Sequence, residues 1–140
     1  MTEDNSFKKV KFTRQQIKVY LENALKDLRI AKQSSIPEVK FNYSYTALLK
    51  AGVALIGGIK EMKVRSVPGH HIKILEMMSK IMVDDSVFSI GNAMRMKRNT
   101  DLYEGGILVS EKESADYCRF VEKVIERVKN ILRKKIGDNK

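Results

Sequence analysis

The chain has 140 residues and a mass of 16.0 kDa, enough for one hydrophobic core and too little for two independently folded domains. Hydrophobic residues make up 43% and charged residues 31%, with only two prolines, which excludes a disordered or low-complexity chain. A formal charge of +10 suits a polyanionic partner such as RNA, DNA or an acidic protein, and equally suits plain solubility.

Cys118 is the only cysteine. It cannot close an intramolecular disulfide or supply a multi-thiolate zinc site, so a reducing, cytoplasmic location is expected, with the thiol as packing. Residues 1–6 are polar and lack the apolar run of a secretory signal. The longest apolar stretch, Ala47 to Ile59, covers 13 positions and is interrupted by Lys50. It falls short of the roughly 18 needed to span a bilayer and reads as a buried helix, so no membrane is expected as a partner.

In chain order, a charged leader over residues 1–12 precedes Thr13-Arg14-Gln15-Gln16, which has the form of a capping box. Ile17, Tyr20, Leu21, Ala24, Leu25 and Leu28 follow at steps of three and four. They predict an amphipathic helix ending near Lys32, with Lys18, Glu22, Lys26 and Asp27 off the apolar face. Phe41 to Tyr45 alternates like a short strand, but helical spacing persists from Phe41 and Tyr45 through Leu48, Leu49, Leu55 and Ile59 and predicts a second helix. Its small residues Ala47, Ala51 and Gly52 would admit a close neighbour, and Gly57-Gly58 would loosen or kink its end.

Arg65 to Gly69 has turn composition. A third helix is predicted from about His70 to Met82, and Asp84-Asp85-Ser86 then supplies the cap of the next. A fourth runs from Ser86 to about Leu102, turning Val87, Ile90, Ala93 and Met94 inward and released at Gly105-Gly106. Ser110 to Glu113 forms another capping box, from which Tyr117, Val121, Val124, Ile125, Val128 and Leu132 trace a stripe toward Ile136. The expected fold is all-α, an up-and-down antiparallel bundle of about five helices over residues 13–137, without convincing sheet and with a polar tail at 138–140.

The densest polar constellation lies near the end of the fourth helix. Arg95, Arg98 and Asn99 are separated by three and four positions, so they share a side and can present guanidinium and amide donors to a phosphate or carboxylate. A solvated basic face paired with Asp101 and Glu104 has the same spacing. Seven Lys and Arg between Arg119 and Lys135 could track phosphates along the last helix, although polar helix faces are routinely Lys-rich.

The order of these pieces resembles the HEPN family. A first amphipathic helix, a Tyr-, Ala- and Leu-rich central helix, Pro68-Gly69-His70-His71 opening a third, and Arg98-Asn99 followed by Tyr103 are similar to the small stand-alone HEPN proteins often paired with a minimal nucleotidyltransferase. The resemblance covers about residues 16–132. It implies a homodimer with the Arg segments of both protomers facing one cleft. In catalytic members that cleft is a metal-independent endoribonuclease, in some cases the toxin of a toxin-antitoxin or defence module, with no cofactor. The family's pattern places a His four to six residues after the Arg, and this chain carries Tyr103 there. An unperturbed phenol, near pKa 10, is a poor base at neutral pH, whereas an imidazole near 6.5 serves both proton-transfer roles.

Arg98 and Tyr103 are therefore the candidate catalytic pair, and Arg95, Arg98 and Asn99 the candidate phosphate or RNA contacts. The resemblance also implies a role for Tyr103 as an acceptor of adenylate from a nucleotidyltransferase antitoxin, which would block the cleft with charge and bulk. The alternative is a noncatalytic helical module that docks such a partner. His70 and His71, the only histidines, could replace the missing base. Their side chains should diverge by about 100°, however, which assigns them to helix initiation or polar surface rather than to one site.

Overall fold

A computed structural model describes residues 5–104 and 109–137, with side chains over 5–99 and 109–135. Its elements are β1 (Phe7–Lys9), α1 (Arg14–Gln33), α2 (Pro37–Lys60), β2 (Met62–Val64), α3 (His70–Met82), α4 (Asp85–Glu104) and α5 (Glu111–Gly137). The all-α, five-helix architecture is as expected, and no described helix is long and apolar enough to cross a membrane.

Local chemistry sets most boundaries. Thr13 Oγ1 accepts from Gln16 N–H while Gln16 Oε1 accepts from Thr13 N–H, so both halves of the capping box are formed at α1. Ser110 and Glu113 repeat that exchange at α5. α2 begins at Pro37, four residues before its apolar run, because proline's fixed φ and missing N–H suit the first helical position. The Asp84 carboxylate receives Ser86 N–H at 3.0 Å and opens α4. Hydrogen bonds from Ser86, and then from Arg127, hold that carboxyl down at about 2.

α2 is the central helix, packed against all four others. Phe41, Tyr45, Ala47, Leu48, Ala51, Ala54 and Leu55 are fully enclosed along it. Close approach depends on its glycines: a Cβ on Gly52 would lie 2.6 Å from Ile74 Cγ2 and Met78 Sδ. Gly57 and Gly58 lie within the helix, which continues to Lys60. They make room for Phe12 and Leu132, which a Cβ would approach to 2.6 and 2.5 Å. Their absent side chains are used for packing between helices.

Three further expectations are corrected. Part of the leader pairs: β1 runs antiparallel to β2 with Phe7 opposite Val64 and Lys9 opposite Met62. Bonds from Val10 N–H to Glu61 O and from Arg65 N–H to Ser6 O extend the pair. Asp27 is buried rather than on the polar side of α1, because Lys50 Nζ reaches it at 2.7 Å and Thr46 Oγ1 donates to it at 3.2 Å. Lys50, the interruption in the apolar stretch, is thus the counter-ion of a buried carboxylate. On α4, Ala93 faces outward, and Gly91 takes the inward position, where a Cβ would meet Leu75 Cδ2 at 2.7 Å. Gly105-Gly106 and the tail lie outside the described residues.

Candidate functional site

The loop 65–69 and the start of α3 meet α4 at a recess of about 260 Å³ lined by Ser66, Val67, Pro68, Gly69, His70, His71, Arg95 and Asn99. Gly69 caps α3 in the left-handed region, φ 83°, a backbone that glycine adopts without a Cβ penalty. The tight entry brings the loop carbonyl of Val67 back over the first helical turn, where it bonds both the N–H and the ring Nδ1 of His70 at 3.1 and 2.9 Å.

That bond explains why both imidazoles reach one place, contrary to the divergence expected from helical geometry. His70 is folded back onto the loop, whereas His71 turns toward α2 and its Nδ1 lies 3.0 Å from the Tyr45 hydroxyl. The two rings pack edge to face with centroids 4.4 Å apart. No preceding helical turn stands beside the first residues of α3 to keep the rings apart.

From α4, Arg95 and Asn99 line the recess together, as their spacing allowed. Arg95 is half-buried, and its Nε donates to Asn92 Oδ1 at 2.9 Å, which holds the guanidinium in place. Arg98 does not line the recess. Its Cζ sits 5.5 Å from the centroid of the Tyr45 ring, a cation-π contact. Tyr103 lies within α4, but its side chain is outside the described residues, as are Asp101 and Glu104.

The electrostatics follow from partial burial beside cations. Burial pushes the Tyr45 phenol up to about 12, against the opposing pull of Arg98 and Arg95. Burial also pushes His71 down to about 4, helped by His70, Arg98 and Arg95. At neutral pH the pair is an uncharged phenol on an uncharged imidazole, beside two permanent positive charges. Such a recess offers hydrogen-bond donors and positive potential to an anion.

Tyr45 was legible only as a core residue on the apolar face of α2, and its partner stands 26 positions away. The available signal was chemical: a tyrosine enclosed in a helix centre must find a partner for its hydroxyl. Three of the basic residues of α5 are ion-paired. Arg127 pairs with Asp84 at 2.6 Å, Arg119 with Asp116, and Lys129 with Glu126 at 3.7 Å. Cys118 is buried in the α5 stripe as packing. Comparison with family models, with curated proteins and with solved structures finds no match to this chain.

Proposed function

We propose that this chain is a HEPN-type protein that binds the phosphates of RNA or a nucleotide at the α3-α4 recess, as a homodimer whose two recesses share one cleft. One observation carries it: Arg95 and Asn99 converge with both histidines on a single cavity. A guanidinium braced by a neighbouring amide, with a second donor one turn along the helix, is suited to phosphoryl oxygens. Arg98, over the Tyr45 ring, adds charge nearby. The formal charge of +10 supplies long-range attraction.

Tyr103, standing where the HEPN pattern has His, favours a noncatalytic form of this function, with a nucleotidyltransferase as docking partner. The test uses purified wild type, Arg95→Ala and Arg98→Ala with structured RNA in EDTA. Wild type is expected to bind with an affinity that falls steeply with salt, and Arg95→Ala to lose about tenfold and flatten the salt slope by about 0.7. Metal-independent cleavage lost in Arg98→Ala would assign the enzyme instead. Wild-type binding that neither variant weakens would remove the recess from RNA recognition.

A further inference from the structure

Each histidine at the recess has one ring nitrogen fixed by a bonded partner, and the two partners are of opposite kinds. The Val67 carbonyl, 2.9 Å from His70 Nδ1, has no proton to give. His70 Nδ1 must therefore carry the hydrogen, and in the neutral ring Nε2 is left as an acceptor. The Tyr45 hydroxyl, 3.0 Å from His71 Nδ1, belongs to a side chain only 1% exposed. His71 is its one hydrogen-bond partner among the described residues. Were the hydroxyl to accept from the ring, its own proton would be stranded in the core, so it donates. His71 Nδ1 is then the acceptor, and its Nε2 carries the hydrogen.

We infer that His70 and His71 are held in opposite tautomers, so that the recess presents an Nε2 acceptor beside an Nε2–H donor and recognises a ribose 2′-hydroxyl next to its phosphate. The 2′-hydroxyl donates to His70 Nε2, and a phosphoryl oxygen of the same nucleotide unit accepts from His71 Nε2–H while Arg95 supplies the charge. The two rings are in contact, with centroids 4.4 Å apart, and both line the cavity that holds Arg95 and Asn99. The groups facing His71 are Tyr45 from α2, Arg95 and Arg98 from α4, and His70 on its own helix. Both arginines disfavour a charged imidazole, which keeps His71 in its neutral form through the physiological range. Tyr45 is a positioning residue, acting through His71. A 2′-hydroxyl is what separates RNA from DNA at a single contact, so this pair is a ribose-reading device. It rests on phosphate binding at the same recess.

The test has two arms. Long-range proton-nitrogen spectra of the free protein at pH 7.5 should show His70 protonated on Nδ1 and His71 on Nε2. Tyr45→Phe should redistribute the His71 proton and leave His70 as it was. Binding is then measured with oligouridylate, the same strand lacking 2′-hydroxyls, and uridine 3′-monophosphate as the free-nucleotide control. Wild type should favour the ribose strand about tenfold over its deoxy counterpart. His70→Asn keeps a donor for Val67 but lacks the distal acceptor, and should bring that ratio to about one. His70→Gln places an amide oxygen near the Nε2 position and should restore the preference.

Equal wild-type affinity for both strands, or a preference that survives His70→Asn, overturns the inference and leaves phosphate binding standing. Matching tautomers on the two rings overturn it without reference to any ligand. Failure of wild type to bind either strand overturns this inference together with the phosphate site. Monophosphate binding as tight as the ribose strand identifies a free nucleotide as the source of the phosphate, and the His70 variants then apply to uridine 3′-monophosphate against deoxyuridine 3′-monophosphate with the same criteria.

Discussion

Two polar clusters sit on neighbouring positions of α2, and they are closed in different ways. Toward α1, Asp27 is matched by Lys50 at 2.7 Å and Thr46 at 3.2 Å, and the carboxylate's needs are met within the fold. Toward α3 and α4, the Tyr45 hydroxyl meets His71 Nδ1 at 3.0 Å, and Arg98 lies over its ring at 5.5 Å. Arg95 and Asn99 complete that side by lining the adjacent cavity of about 260 Å³. A buried charge with a counter-ion and a hydrogen bond fixes the register of two helices. A buried phenol that orients an imidazole at the edge of a cavity leaves a donor for something outside the chain.

Breaking the closed cluster should have the larger effect on stability. Asp27→Ala removes the ion pair and the Thr46 bond, but Lys50 is half exposed and can return to water, which limits the loss. The expected cost is about 1–2 kcal/mol, or a Tm lower by about 5 °C, with RNA affinity unchanged. Arg95→Ala should behave in the opposite way, losing affinity with little change in Tm. Thermal melts and salt-dependent binding on the two variants separate the clusters, and a shared phenotype would erase the distinction.

A smaller effect is expected from acid. His71 is held at about 4 in the folded protein, against 6.5 for an ordinary imidazole. Between those two values the unfolded chain binds a proton that the native state refuses, so stability falls as pH drops from about 6.5 to about 4. Above 6.5 the contribution is fully present, and below 4 its loss is complete. Carboxylates titrate in part of this window, so the diagnostic quantity is the difference between wild type and His71→Gln. The variant should lose less stability over that range. Parallel pH curves would mean that His71 carries no linkage to folding.

The helices were legible because their signals are local and repeat. Capping boxes at Thr13 and Ser110 and the stripe from Tyr117 to Leu132 each rest on spacing within a few turns. The strands were not, since three residues carry too little periodicity and their pairing joins Phe7 to Val64 across the whole of α1 and α2. Asp27 looked solvated because its partner, Lys50, belongs to another helix. Gly57 and Gly58 read as a loosening of the helix because the residues that need their space, Phe12 and Leu132, are remote in the chain.

The candidate site divided along the same line. Arg95 and Asn99 were legible as one face of α4, which is a matter of spacing by four. Arg98 shares their segment but is drawn off to the Tyr45 ring, a contact with α2 that α4 alone cannot reveal. His70 and His71 were assigned apart on ideal helix geometry, and the Val67 carbonyl and the Tyr45 hydroxyl bring them together. Spacing along a helix identified donors on one element. The orientation of a donor depended on what a second element placed against it.

The central claim is that the α3-α4 recess, rather than the basic face of α5, receives a phosphate-bearing strand. Its most direct measurement is a side-chain NMR titration of the wild-type protein with oligouridylate, following the Arg95 and Asn99 nitrogens beside those of Lys123 and Arg133. The largest and earliest shifts should fall on Arg95 and Asn99, saturating together with a single affinity. Shifts concentrated on Lys123 and Arg133, with Arg95 and Asn99 unmoved at saturation, would contradict the account.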